Sequence, residues 1–175
     1  GYPVVAIGDE AFRGNKYLTA ILISDCITSI GDYAFADTNL DSLVLPDKLN
    51  KLGRRILSGN KGITEIAIPK TLKSVSSAYL YGMDGDGPFT ESNIQRATIE
   101  TGMTDVPEHL FQRNSTLISV EIPDTVVKIG GYAFAQTGVE SIEIPDTVTR
   151  LEEGVLAETK LAKLKLPRNI EFIGR

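Results

Sequence analysis

The chain carries one Cys, one His and no Trp among its 175 residues. A single Cys excludes an intrachain disulfide and any multi-Cys zinc site, and a single His excludes His-rich metal sites and His-pair acid–base schemes. Basic excess is missing as well. Eighteen Lys and Arg stand against 23 Asp and Glu, a net charge of -5, so nothing draws the whole surface onto nucleic acid or an anionic membrane. No stretch approaches 18 consecutive apolar residues, and no basic segment followed by an apolar run opens the chain, so neither a membrane span nor a signal peptide is present in it. Nucleophile elbows, phosphate loops and zinc motifs are also lacking. The first residue is Gly rather than Met, as expected of a processed or trimmed product, which leaves the compartment open. What remains is ordinary globular material, 42% hydrophobic and 23% charged, of a length that suits one domain.

That material repeats itself. Residues 30–51, IGDYAFADTNLDSLVLPDKLNK, and residues 129–150, IGGYAFAQTGVESIEIPDTVTR, agree almost position for position. The same frame sets repeats at 7–29, 30–51, 52–74, 75–105, 106–128, 129–150 and 151–172, and repeats of this period are the signature of a solenoid. Fragments remain at both ends: Val4 takes the slot of Leu49, and Ile173-Gly174 begins an eighth copy.

Each slot has a physical reading. An apolar residue opens the repeat and is usually followed by Gly, at Gly8, Gly31, Gly53 and Gly130, where a tight turn or a close backbone approach leaves no room for a side chain. Phe12, Phe35, Phe89, Phe111 and Phe134 then share one slot, with Leu57 and Leu156 as substitutes, and should stack inside. A strand of the type Leu-x-x-Leu-x-Leu follows, as at Leu40, Leu43 and Leu45, its last two apolar residues facing one side. Pro46, Pro69, Pro123, Pro145 and Pro167 end it, because proline supplies no N–H to a ladder. A second apolar pair, such as Val126 with Ile129, closes the coil and marks a short second strand. Ordering one coil costs about 1 to 2 kcal/mol per residue, more than its apolar side chains return at about 1.5 to 3 kcal/mol each, so coils must stack, with a backbone ladder running through every repeat.

The pattern I-G-x-x-A-F, then L-x-x-L-x-I-P, then V-x-x-I resembles the BspA-like leucine-rich repeat family, over residues 4–175. The resemblance implies an α/β-type leucine-rich repeat solenoid: a right-handed coil, a parallel sheet of one short strand per 22–23 residue repeat, and short helical or 3-10 turns opposite. It further implies a secreted or surface-anchored protein of a host-associated bacterium, adhesion to a host or neighbouring-cell protein or to a glycan, and no catalytic residues, cofactor or metal. The match is weakest at 52–105, where Arg54-Arg55-Ile56-Leu57 replaces the usual turn and Ala-Phe pair.

The outward strand slots form the first candidate site, since a repeat sheet presents exposed residues as parallel columns. One column reads Leu22, Val44, Ala67, Thr98, Glu121, Glu143, Lys165, and its neighbour reads Ala20, Ser42, Glu65, Arg96, Ser119, Ser141, Lys163. The face thus passes from apolar to charged, with Ala20, Leu22, Val44, Ala67, Glu121, Glu143 and Lys165 as the expected binding residues. Glu121 and Glu143 on adjacent rungs, about 5 Å apart, resemble the carboxylate pair of a retaining glycosidase. Their open position argues instead for a solvated charge ladder.

Val75 to Phe89 spans 14 positions where Ile30 to Phe35 spans five. This insertion, SSAYLYGMDGDGPF, offers Tyr79, Tyr81 and Met83 as a binding loop, since insertions in repeat proteins map to loops. Asp84-Gly85-Asp86-Gly87 matches a calcium loop only weakly, because Gln95 stands where an EF-hand needs its terminal Glu. Lys48, Lys51, Arg54, Arg55, Lys61, Lys70 and Lys73, interrupted only by Glu65, make a cationic edge suited to sulfated glycan or an acidic protein. Nucleic acid is disfavoured, because the aromatic residues belong to the core. His109 takes the slot of Tyr33 and Tyr132, which predicts packing. Cys26 is expected as a partly exposed free thiol, and Asn114-Ser115-Thr116 as a glycosylation acceptor in a eukaryotic secretory host.

Phe172, in an outward slot, calls for a cover, and neither end carries a polar cap. The expectation is a single repeat domain over 1–175 cut from a longer protein, monomeric or associating weakly end to end, with no direct membrane insertion. A passive spacer or stalk is the alternative to adhesion, and a carbohydrate-active β-helix a more distant one.

Overall fold

The repeat closes into a parallel-stranded solenoid of about seven turns. The structure, a computed structural model, describes residues 3–76 and 85–175. The candidate loop residues Tyr79, Tyr81 and Met83 therefore lie outside the described residues, as does Asp84.

The short closing strand is the most regular element. β1 (Ala6–Ile7), β2 (Ser29–Ile30), β3 (Lys51–Leu52) and β5 (Ser74–Val75) pair in parallel as one sheet. β7 (Asp105–Val106), β9 (Lys128–Ile129), β10 (Arg150–Leu151) and β11 (Phe172–Ile173) form a second. In each pair the apolar residue of one coil meets the apolar residue of the next, as Ile30 with Leu52 and Val106 with Ile129. The two sheets stop on either side of the fourth repeat, whose insertion falls between β5 and the next coil.

The leucine strand is ladder-bonded over a shorter range than the sequence suggests. β4 (Glu65–Ile68), β6 (Arg96–Ile99) and β8 (Ser119–Glu121) form a three-stranded parallel sheet. Elsewhere the in-out alternation persists without a ladder: Leu43 and Leu45 are buried while Val44 between them is exposed. Backbone groups on an open face can bond to water instead, and two other ladders already hold neighbouring coils in register there.

One of those ladders lies in the turn around the Phe slot, where the expected helical or 3-10 segments are replaced by single hydrogen-bonded turns. The residue two before the Phe slot is left-handed at Glu10, Tyr33, Arg55, His109, Tyr132 and Gly154, with φ between 50° and 59°. The residue two after it is left-handed as well, at Gly14, Asp37, Gly59, Glu91, Arg113, Gln136 and Glu158. A helix cannot propagate through such residues. Between them, alternate N–H groups point at the next coil: Tyr33 to the Arg54 carbonyl at 2.9 Å, Phe35 to Ile56 at 3.0 Å and Asp37 to Ser58 at 2.7 Å. The same three-bond set joins Tyr132, Phe134 and Gln136 to Glu153, Val155 and Ala157.

The aromatic column sits inside this turn. Phe12 stacks on Phe35 with centroids 5.5 Å apart, Phe89 on Phe111 at 5.4 Å, and Phe111 on Phe134 at 5.8 Å. Buried Leu57 stands in the slot between Phe35 and Phe89. Close approach also explains the glycine column: a Cβ on Gly53 would lie 2.2 Å from the Gly31 carbonyl carbon. After Pro69, Pro123 and Pro145, hydroxyls lock coil to coil, with Thr71 donating to the Asp47 and Leu49 carbonyls, Thr125 to Met103 and Thr147 to Val126.

Non-glycine residues in the left-handed region carry strain of about 1 to 2 kcal/mol each, which glycine relieves and a β-branched side chain worsens. Glu158 is exposed there at φ 53°. Glu158→Gly should raise the urea unfolding midpoint and Glu158→Val lower it, the two differing by about 2 kcal/mol.

Candidate functional site

The outward strand column lies where the repeat frame puts it. Ala20, Leu22, Val44, Ala67, Thr98, Glu121, Glu143 and Lys165 are all exposed. Leu22 is fully exposed at 101% and Val44 at 80%. In the middle coils the columns are true rungs: Ala67 pairs with Thr98 and Thr98 with Glu121, while Glu65 pairs with Arg96 and Arg96 with Ser119. Arg96 reaches Glu65 at 3.0 Å, and the Thr98 hydroxyl approaches Glu121 at 3.4 Å. A shallow depression of about 440 Å³ crosses this region, lined on one side by Val44 and Ala67 and on the other by Arg96, Thr98 and Glu121. Glu121 and Glu143 share a second open depression with Ile118 and Ile142. The candidate face is therefore a row of outward side chains, ladder-bonded over its three middle coils, that grades from bare aliphatic to charged residues.

The cationic edge divides in two. Arg54 is taken up by Asp32, with Nε 3.0 Å from the carboxylate, and lies near the Tyr33 ring. Arg55 occupies the slot of the stacking residues Tyr33, His109 and Tyr132, but its guanidinium forks onto Asp86 at 2.6 and 3.1 Å and pairs with Glu91 as well. Arg113 reaches the same Asp86 carboxylate at 3.2 Å. Arg55 and Asp86 are both largely buried, with side chains 17% and 13% exposed. The hydrogen bond to Asp86 is the largest influence on the guanidinium and moves its pKa further above the ordinary arginine value against the opposing effect of burial. Asp86 is thus committed to two arginines rather than to a calcium loop. Sequence reading missed this network, although an arginine in the slot that Tyr33, His109 and Tyr132 fill in other coils was the available signal. Among the described residues, no group of three or more His, Cys, Asp and Glu is placed to hold a metal ion.

Other candidates resolve individually. His109 is buried and stacks on Tyr132 at 5.5 Å with nearly parallel rings, and Tyr132 donates its hydroxyl to Glu153 at 2.7 Å. Cys26 is an exposed free thiol. Asn114 is fully buried, which corrects the glycosylation reading, since an acceptor amide must reach the surface; its slot is the polar capping position that Asn60 and Thr137 fill in other coils. Phe172 is 40% exposed and covered by the Arg150 guanidinium, 4.5 Å above its ring. No helix among the described residues is long and apolar enough to cross a membrane.

The family described as BspA type Leucine rich repeat region matches residues 3–84 and 85–175 with six copies, and the chain belongs to this family. No curated protein matches the chain at a significant level. Among solved structures, a leucine-rich repeat protein from Bacteroides ovatus is 21% identical with a TM-score of 0.65, over 85% of this chain and 37% of that one. A leucine-rich repeat protein from Eubacterium ventriosum is 22% identical with a TM-score of 0.56, over 98% and 47%. A leucine rich cell surface protein from Faecalibacterium prausnitzii is 27% identical with a TM-score of 0.53, over 92% and 44%. The chain spans less than half the length of each of these proteins.

The Arg55 network yields a stability test. Arg55 would keep Glu91 if Asp86 were lost, so the cost is that of hydrogen bonds to a charged partner, about 1.5 to 3 kcal/mol. Asp86→Ala should therefore lower the chemical unfolding midpoint strongly. Adding Arg55→Tyr should restore much of the loss, since the slot already accepts Tyr33 and Tyr132, and denaturation curves of the single and double variants check this.

Proposed function

We propose that the chain is a non-enzymatic binding module of a secreted or cell-surface bacterial protein, engaging a protein or a glycan through its outward strand face. The observation that carries this reading is the exposure of Leu22 and Val44 on adjacent coils of one column, beside Ala20 and Ala67. Aliphatic side chains aligned on a rigid face form a contiguous apolar strip, and such strips mark interaction sites where scattered single residues do not. The charged rungs Glu121, Glu143 and Lys165 at the other end of the face would orient a partner more than hold it. Family membership and the description of the Faecalibacterium prausnitzii relative as a cell surface protein support the location.

Binding to an array of host matrix proteins and glycans tests the reading. Selective binding that falls at least tenfold, about 1.4 kcal/mol, in the Leu22→Lys, Val44→Lys double variant is the expected result. A well-folded domain that binds nothing would leave the passive spacer in its place.

The carboxylate pair on the same face separates binding from catalysis. Glu121 and Glu143 are exposed to water on an open surface, whereas a glycosidase needs one carboxyl held protonated in a sheltered site. Turnover assays on polysaccharides should detect no activity in the native chain, and Glu121→Gln with Glu143→Gln should leave folding unchanged. Native turnover abolished by the double variant would identify an enzyme.

A further inference from the structure

A second surface, on the arcs that join the leucine strand to the closing strand, is independent of the strand face. In the second coil this arc runs from Asp47 to Lys51, and in the third from Lys70 to Ser74. Lys48, Lys51, Lys70 and Lys73 are all exposed, and none forms an ion pair among the described residues, in contrast to Arg54 and Arg55. The two arcs are fixed side by side. Lys73 donates its backbone N–H to the Asn50 carbonyl at 3.0 Å, Lys51 pairs with Ser74, and the Thr71 hydroxyl bonds the Asp47 and Leu49 carbonyls. Four lysines are thereby anchored on a backbone patch about one strand spacing wide and three residues long, about 5 by 10 Å. Their mutual repulsion is relieved by an anion.

We propose that this patch binds a linear sulfated polysaccharide. The flanks set its width. Asp25 lies on the preceding arc, and Glu100 and Asp105 on the following one, where the Glu100 carboxylate already accepts the Lys70 backbone N–H. Asp47, the single acid within the two arcs, lines the strand-face depression. A cationic stripe two coils wide between acidic neighbours, on a chain of net charge -5, suits a narrow single-chain polyanion. A bilayer or a nucleic-acid duplex would bring its charge against the acidic flanks as well. No aromatic side chain stands in either arc, so the base stacking that single-stranded nucleic acid uses is missing. Lysine ammoniums contact sulfate as point charges without the fixed fork of arginine, and the exposed or half-exposed Asn50, Thr71 and Ser74 between them supply polar partners for sugar hydroxyls.

The test is binding of the whole chain to size-defined heparin oligosaccharides immobilised on a surface. Affinity should fall on the order of tenfold or more between about 50 and about 200 mM salt, as expected when roughly four cations displace counterions. Replacing Lys48, Lys51, Lys70 and Lys73 together by Gln should weaken binding at least tenfold, whereas Lys61→Gln, on another corner of the coil, should leave it unchanged. A fully desulfated chain of the same length should not bind. If the quadruple variant melts early, Lys48→Gln and Lys73→Gln singly should each weaken binding about two- to fivefold. Binding untouched by these substitutions, equal binding to the desulfated chain, or tighter binding to phosphatidylglycerol vesicles or to single-stranded oligonucleotides would overturn the proposal. Failure of the strand-face variant to alter this binding is expected, so the two surfaces are tested separately.

Discussion

Everything in this molecule hangs on the contact between one coil and the next at the Phe turn. Two left-handed residues four positions apart hold the backbone between them in hydrogen-bonded turns instead of a helix, and its alternate N–H groups reach the carbonyls of the following coil. The Phe side chain at the centre of that turn is carried directly over its successor, which is why ring centroids recur at 5.4 to 5.8 Å rather than at random core distances. Hydrogen bonding and aromatic packing are therefore satisfied by the same geometry. The strain of a left-handed Tyr33, His109 or Tyr132 is offset by side-chain packing, as His109 stacks on Tyr132 and Tyr33 lies under the Arg13 and Arg54 guanidiniums. Tyr132 packs between the His109 ring and the backbone of Gly154, where any Cβ would lie 2.4 Å from the ring.

Such a constraint converts sequence slots into surface columns. A residue at one slot has its nearest non-local neighbours at the same slot in adjacent coils, so chemistry accumulates along the stack rather than within one coil. Leu22 beside Val44 and Lys51 beside the arc of Lys73 are both products of this translation. Where the repeat is interrupted, the columns have to be re-stitched, and the Arg55–Asp86–Glu91 network does that at the insertion. An arginine can bridge where a stacked ring has no partner, because its long side chain reaches across an altered spacing.

Most of the fold was legible because a solenoid writes each structural requirement seven times. The Phe slot and the glycine column recur in the sequence and appear as the stack and the close backbone approach, whereas of the expected strand-ending prolines Pro69 alone directly follows a ladder-bonded strand among the described residues. The left-handed positions were not legible, since Glu10, Tyr33, Arg55 and His109 share a backbone conformation but no side-chain property. The leucine strand was overextended for a related reason: alternation reports which side chains are buried, and says nothing about whether the backbone between them is paired. Asn114 was misread because a three-residue motif carries no information on burial, whereas its repeat slot did. The candidate face was legible as a set of exposed columns, but the partition of the cations was not. Only the three-dimensional structure shows that the two arginines turn inward to carboxylates while the lysines remain exposed, with no ion pair among the described residues.

The two proposed surfaces share coils, and that placement has a physical consequence. Val44 and Lys48 belong to the second coil, Ala67 and Lys70 to the third, so the aliphatic strip and the cationic patch are separated by the proline that ends each strand. A ladder-bonded coil holds them at a fixed distance with no linker to order. A ligand that presents an apolar protein surface next to a sulfated chain would make its second contact at high effective concentration once the first has formed. The weak, salt-sensitive attraction of a few lysines and the modest burial of a few aliphatic side chains would then multiply in affinity, a route to firm attachment through an open surface.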